Sequence, residues 1–212
     1  MSAERFVRYS KPAVFLACLV PMGLLVRKGI ESRLGANPIE VITHSTGDWT
    51  LIFLCITLAI TPVRRALGLP WLIRYRRMTG LFAFFHGSLH FLTYIWLDQF
   101  FDWHGIVKDV AKRPFITAGF TAFVLLIPLA ATSTAGMIGR LGGRRWQMLH
   151  RLVYASAVVG VIHYLWLVKA DKHLPLRYAA IVAFLLACRV VIYFVDRWRG
   201  VAPGKDHAER LE

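Results

Sequence analysis

Two tetrapeptides within long apolar runs end in histidine three residues after a glycine: GSLH at 87–90 and GVIH at 160–163. A polar ring in hydrocarbon costs free energy unless it has a partner, so histidines at such depth are candidates for function. Gly87 and Gly160 stand one turn from His90 and His163 on nearly the same helix face, where they would open flat space beside each ring. A planar macrocycle needs that space, and neutral imidazole is an axial ligand for haem iron. Helix bundles build such core sites from side chains on facing helices. The competing accounts are an interhelical hydrogen bond for any single histidine and close helix packing for the glycines. The chain has no CxxCH, so any haem is non-covalent and b-type.

The elements that must position these residues are membrane helices. Of 212 residues, 57% are hydrophobic and 18% charged, and the mean hydropathy is +0.51, far above an ordinary soluble domain. Apolar runs at 12–28, 49–63, 80–97, 115–132, 150–168 and 176–195 each approach the roughly 17–25 residues that a spanning helix needs. The expected fold is all-α, an integral membrane bundle of six transmembrane helices over 12–195, flanked by cytoplasmic segments 1–11 and 196–212. Basic residues gather in alternate loops: Arg5, Arg8 and Lys11; RRALGLPWLIRYRR at 64–77; Arg140, Arg144 and Arg145; then Arg197, Arg199, Lys205 and Arg210. By the positive-inside rule both termini are cytoplasmic. The formal charge of +14 therefore reads as topology and contact with anionic lipid rather than nucleic acid, with a phosphate or flavin site in 64–77 as the alternative. All twelve acids are expected in loops, tails or span edges. The first span lacks a small-residue cleavage site and reads as a retained anchor. Cys18, Cys55 and Cys188 fall singly inside spans, which argues against disulfides and a thiolate metal site.

Depth sorts the histidines. With helices 3 and 5 starting near Gly80 and His150, His90 lies about 15 Å and His163 about 20 Å along, close enough in depth to face each other. His86 shares helix 3 with His90. His150 does not share a face with His163 on a straight helix, because thirteen residues leave a remainder of about 220°. At the depth of His150, helix 3 offers Arg76. His104, His173 and His207 read as solvated. Arg189, near the cytoplasmic end of helix 6, is expected to snorkel, or to pair with a propionate or quinone oxygen. Tyr94 with Trp96 and Tyr164 with Trp166 read as interfacial belts.

RRMTGL (76–81), FHGSLH (85–90), RPF (113–115), WQMLHRLVY (146–154) and IHYLW (162–166), in the order of six helices, resemble the ferric reductase-like transmembrane family over nearly the whole chain. That resemblance implies haems stacked across the membrane between histidines of helices 3 and 5. Carried over, His90 and His163 match the outer pair and His150 the inner ligand of helix 5. Arg76 stands where the family's other inner ligand would be, so one haem b is implied firmly and a second needs an unusual partner. THSTGDW (43–49) resembles a family HxTG element. It reads either as a cap of helix 2, through Ser45, Thr46 or Asp48, or as His44 serving a quinol or haem-propionate site.

Within the family, the chain is similar to the bacterial inner-membrane subunits that pass electrons from the quinone pool, or a cytoplasmic flavin donor, to a periplasmic molybdopterin enzyme reducing methionine sulfoxide in oxidised proteins. FMN is also implied by that resemblance, without a motif here. The chain has no GxGxxG and so takes no hydride from NADPH by itself. The implied role is an electron-transfer subunit of an oxidoreductase. Two alternatives stay open: a ferric or cupric ion reductase, and a proton or metal transporter using membrane histidines, which would call for acids inside the spans or a repeated half.

Overall fold

The computed structural model describes residues 3–200; Lys205, His207 and Arg210 lie outside them. The described chain is helical: α1 (Ala3–Ile30), α2 (Pro38–Ala66), α3 (Ile73–Leu92), α4 (Trp103–Lys112), α5 (Pro114–Ala131), α6 (Ala135–Leu141), α7 (Gly143–Leu149), α8 (Leu152–Leu167) and α9 (His173–Trp198). A 3-10 turn at Pro70–Leu72 leads into α3, and a π-helical segment, Thr93–Asp98, prolongs it. Six stretches are long and apolar enough to cross a membrane: Glu4–Ile30, Pro38–Ala66, Pro70–Asp98, Pro114–Ala131, Gly143–Leu167 and His173–Trp198.

These spans cover the six apolar runs to within one residue, but several boundaries differ. Helix α2 begins at Pro38, not near 49. Asn37 caps it, its side-chain oxygen accepting from Glu40 N–H, and Pro38 brings a preset φ to a position that has no use for an N–H. Residues 43–49 therefore lie inside the helix and do not cap it; the Thr46 hydroxyl bonds back to the Ile42 carbonyl at 2.8 Å. Asp48 likewise sits well inside a spanning helix, which corrects the expectation that every acid falls outside or at the edges. Hydropathy placed the start late because polar residues of these first turns face an interior cavity and need not be apolar. A second difference is the chain between the third and fourth spans, which is not a plain loop. There Phe100 and Phe101, at φ +47° and +61°, reverse the chain into the amphipathic helix α4, capped by Asp102 accepting from Gly105 N–H.

Helices α2, α3, α5 and α8 form the central bundle, with α2 packed mainly on α3 and α5 mainly on α8. Small residues allow the second pairing: Ala118, Ala122, Ser156 and Ala157 are all buried, and the Ser156 hydroxyl donates to the Ala122 carbonyl across the interface at 2.9 Å, as small residues and hydroxyls do between membrane helices. Helices α1 and α9 pack outside and present large apolar side chains outward, Leu16 and Phe184 among them. Arg74 with Glu4, and Arg65 with Asp196, pair at the end of the bundle where the described chain starts and finishes; we call this the terminal end and the opposite one the far end.

Arg189 does not snorkel. Its guanidinium turns inward, donating to the Tyr154 hydroxyl at 2.7 Å and the Leu58 carbonyl at 2.8 Å, and lies over the Tyr154 ring at 4.9 Å. The cause sits in α2: Pro62 occupies the position four residues after Leu58, and proline has no N–H to give that carbonyl. Replacing Arg189 with Met should cost about 1–3 kcal/mol, the penalty of a buried acceptor left unpaired. In a Pro62→Ala background, where the backbone at that position regains an N–H for the Leu58 carbonyl, the same replacement should cost about 1 kcal/mol less, as thermal unfolding of the four proteins in detergent would show.

Candidate haem site

His90 and His163 face each other from α3 and α8, ring centroids 6.1 Å apart and planes at 75°. His90 Nδ1 lies 2.9 Å from the Thr43 carbonyl oxygen of α2, and His163 Nδ1 lies 2.6 Å from the Phe115 carbonyl oxygen of α5. A carbonyl only accepts, so in both rings Nδ1 carries the hydrogen and Nε2 is left with its lone pair. This is the arrangement by which a backbone carbonyl fixes tautomer and orientation of a metal-binding histidine.

The two contacts share one construction. Four residues after Thr43 stands Gly47, and four after Phe115 stands Gly119. A helical side chain covers the turn before it, so glycine leaves the carbonyl one turn earlier open to an approaching ring. A Cβ on Gly47 would meet His90 Nδ1 and Cε1 at 3.1 Å. One on Gly119 would meet His163 Nδ1 at 2.8 Å and Cε1 at 2.9 Å.

Both imidazoles line a cavity of about 470 Å³ within the four central helices, its far-end mouth bordered by Ile106 and Val110 of α4. That volume is in the range of cofactor sites, about 300–1,000 Å³. Phe91, Phe120 and Phe123 make one apolar wall, with Phe91 and Phe123 stacked at 4.8 Å. Arg113, paired with Asp109 at 3.2 Å, is the cation among the described lining residues, and Tyr94 of the π-helical segment donates to Asp109 at 3.4 Å. Gly87 and Gly160 also line the cavity, but a Cβ on either would touch Thr50 or Leu51 at an ordinary 3.5 Å.

The residues fit a haem. Two metal–imidazole bonds of about 2.0–2.1 Å, with the half-rings behind them, span about 6 Å, and the centroids are 6.1 Å apart. Two unprotonated Nε2 atoms, glycines on both carbonyl-bearing helices and an apolar chamber with one cation complete the set.

His150 is placed apart, toward the terminal end. The fifth span breaks at residues 150 and 151, between α7 and α8, so the helical angle reckoned from His150 to His163 does not apply. The His150 ring stacks on Trp146 at 3.9 Å and its Nε2 is 3.0 Å from Thr132 Oγ1. That hydroxyl spends its hydrogen on the Pro128 carbonyl, so His150 Nε2 must donate and its Nδ1 stays bare. Arg76 acts through space on both His150 and Arg189, which puts all three in one polar group away from the His90–His163 cavity. His86, in contrast, is a core residue, 1% exposed, stacked on Phe53 at 5.3 Å. Among the described residues, no three His, Cys, Asp or Glu gather as a metal-ion set.

Residues 46–161 match the family described as ferric reductase like transmembrane component. The chain is 60% identical over 183 residues to the protein-methionine-sulfoxide reductase heme-binding subunit MsrQ of Herminiimonas arsenicoxydans, covering 85% of this chain and 84% of that protein. It is 55% identical to the MsrQ of Ralstonia nicotianae, across 96% and 93% of the two chains. The MsrQ of Rhodospirillum rubrum is 53% identical, across 92% and 94%. The chain belongs to the MsrQ family.

In this MsrQ-family chain the glycines that sequence reasoning placed beside the rings, Gly87 and Gly160, lie on the same helices as the histidines, while those against the rings come from α2 and α5. Their signal, a glycine in THSTG (43–47) and in FITAG (115–119), needed the knowledge of which helices are neighbours. Tyr94 and Tyr164 were read as belt residues with Trp96 and Trp166. The tryptophans are indeed exposed, but Tyr164 is buried and both tyrosines turn to the cavity. His44 and Asp48 border the cavity on α2.

Proposed function

We propose that this chain is the haem b electron-transfer subunit of a methionine sulfoxide reductase system, with His90 and His163 as the axial ligands. The observation that carries the reading is the facing pair of imidazoles, each with Nδ1–H given to a neighbouring helix and Nε2 left bare, lining a largely apolar cavity. The names of the relatives, each a heme-binding subunit of protein-methionine-sulfoxide reductase, support it. Haem b supplies, when bound, a one-electron carrier that cycles between ferric and ferrous iron.

The chain's own residues do the rest. The carbonyls of Thr43 and Phe115 hold both rings in one tautomer, so no proton has to leave before iron is bound. Gly47 and Gly119 let the rings sit against the helices. Phe91, Phe120 and Phe123 keep water from the chamber, and Arg113 supplies a positive charge at its mouth for carboxylates of the group. The positive-inside rule makes the terminal end cytoplasmic, since Arg64, Arg65, Arg74, Arg76 and Arg77 lie there, and the far end periplasmic. The cavity then opens toward a periplasmic molybdopterin reductase (MsrP) as electron acceptor, with the quinone pool or a cytoplasmic flavin reductase as donor. FMN is assigned no residues.

The test is a spectrum followed by a transfer. Purified protein should show a low-spin b-type spectrum by pyridine haemochrome, and once reduced should be reoxidised by the purified periplasmic reductase only when methionine sulfoxide is present. A colourless protein made with ample haem would defeat the reading, and so would a reduced protein that passes its electrons to ferric ions but not to that reductase.

A further inference from the structure

Helix α4 borders the far-end mouth of the histidine cavity, and its three faces differ in chemistry. Ile106 is buried and, with Val110, lines the cavity. At about 100° per residue, His104, Lys108 and Lys112 fall in one row whose centre stands about 180° from the midpoint of Ile106 and Val110. The row therefore points away from the cavity. Trp103 and Val107, 62% and 68% exposed, form an apolar face about 120° from the lysines. An amphipathic helix at this level rests its apolar face on the bilayer boundary and turns its charges to water. Asp109 holds α4 in that posture: it pairs with Arg113 at the start of α5 and accepts from Tyr94 at the end of the third span.

A second pair of lysines, Lys169 and Lys172, stands in the turn after α8. The end of α8 is fixed beside the start of α5 by the bond from His163 to the Phe115 carbonyl, and Phe115 is three residues from Lys112. All four lysines are exposed. Among the described residues none of the four has an ion-pair partner, whereas Arg27, Arg33 and Arg113 at the same end do. The nearby Asp171 carboxylate accepts from the His173 N–H. Loops on the side away from the cytoplasm are ordinarily poor in lysine and arginine, so a group of lysines without a counter-charge on the chain calls for one from outside.

We propose that Lys108, Lys112, Lys169 and Lys172 form the docking surface for the electron acceptor, which meets them with an acidic face; this rests on the haem reading and on its periplasmic reductase as partner. Surface charges of this kind steer a partner into register and raise its on-rate more than its affinity. That suits a redox partner, whose interface is small and which must leave after each transfer. The position also suits the transfer: three residues of backbone join Lys112 to Phe115, whose carbonyl is bonded to His163. An acceptor on the lysines stands at the outer end of that bonded route to the proposed axial ligand. Anionic lipid fits less well, because the face of α4 suited to the bilayer carries Trp103 and Val107, and the lysines are turned away from it.

The experiment follows binding of the purified periplasmic reductase to the full chain in phosphatidylcholine nanodiscs, which carry no net charge, by biolayer interferometry. Raising salt from about 0.01 to about 0.15 M shortens the Debye length from about 30 to about 8 Å, and should slow association about tenfold. Lys108→Glu with Lys112→Glu, and Lys169→Glu with Lys172→Glu, should each slow association at low salt about tenfold and flatten its salt dependence. The corresponding glutamine pairs should fall between these and the wild type. Lys28→Glu, at an exposed position of α1 at the same end, should bind as the wild type does, and the haem spectrum should be unchanged in every variant. Association that ignores salt, paired variants that bind like Lys28→Glu, or lysine effects seen only as lost retention on phosphatidylglycerol vesicles would each overturn the proposal, the last by making the lysines a lipid site. Binding needs no haem, so the readings fail separately. A haem-free chain that binds through these lysines keeps the docking surface and loses the haem. A haem-loaded chain that reduces the reductase equally well in every variant overturns the docking surface alone, and a wild-type chain that does not bind the reductase overturns both surface and partner.

Discussion

His163→Ala and His90→Ala should each purify without the low-spin b-type signal expected of the wild-type chain. The two imidazoles form one site, with centroids 6.1 Å apart, and loss of either leaves one strong ligand and an open position. Changes that only misorient a metal-binding histidine cost about 10–100-fold in affinity, and removal of the ring should exceed that. Added imidazole should restore part of the low-spin signal in both variants, because deleting a side chain that borders a cavity leaves room for its free analogue; a misfolded protein would not respond. His150→Ala should keep the signal, since its Nε2 is engaged with Thr132 in a separate group. Pyridine haemochrome counts and oxidised and reduced spectra decide the matter: a low-spin signal that survives in His163→Ala would remove α8 from the site.

Gly119→Ala is the second change with a large expected effect, and it adds a single methyl group. Its Cβ would lie 2.8 Å from His163 Nδ1 and 2.9 Å from Cε1, closer than real Cβ contacts come. The ring cannot easily yield, because Nδ1–H is bonded to the Phe115 carbonyl one turn earlier on the same helix. Haem affinity should fall about 10–100-fold, as for other losses of ligand orientation, with part of the remaining haem shifted to high spin. Gly47→Ala, at 3.1 Å from the His90 ring, should show a smaller loss. Gly160→Ala and Gly87→Ala, with 3.5 Å to their nearest neighbours, should stay near wild type, and Gly23→Ala, with nothing within 4 Å, serves as control. Should Gly160→Ala cost as much as Gly119→Ala in a haem titration, the room for the ring is set within α8 and not by α5.

The contrast between those two glycines shows where reading the chain reached its limit. Gly87 and Gly160 were visible because i and i−3 share a helix face, a relation internal to one helix. Gly47 and Gly119 act across a helix–helix contact, and no spacing within α2 or α5 says which ring will lie against them. Asp48 escaped for a related reason. Average hydropathy treats every polar residue as a sign of water, so the turns of α2 that border a cavity were counted as loop. Arg189 looked like a snorkelling side chain because its sequence neighbours are lipid-facing, whereas its partner, the Leu58 carbonyl, is freed by Pro62, far earlier in the chain.

Composition and the lengths of apolar runs by themselves determined that the chain has six stretches long and apolar enough to cross a membrane, and that His90 and His163 lie at matching depth on helices able to face each other. Both are consequences of solvent: hydrocarbon demands apolar runs of set length and makes each intramembrane imidazole expensive enough to stand out. Only the tertiary structure decided which nitrogen of each ring is free, that the fifth span breaks at His150, and that the first turns of α2 line the histidine cavity. Those features are set by carbonyls, glycines and prolines on neighbouring helices, whose side chains carry no hydropathy signal and whose meaning depends on what is packed against them.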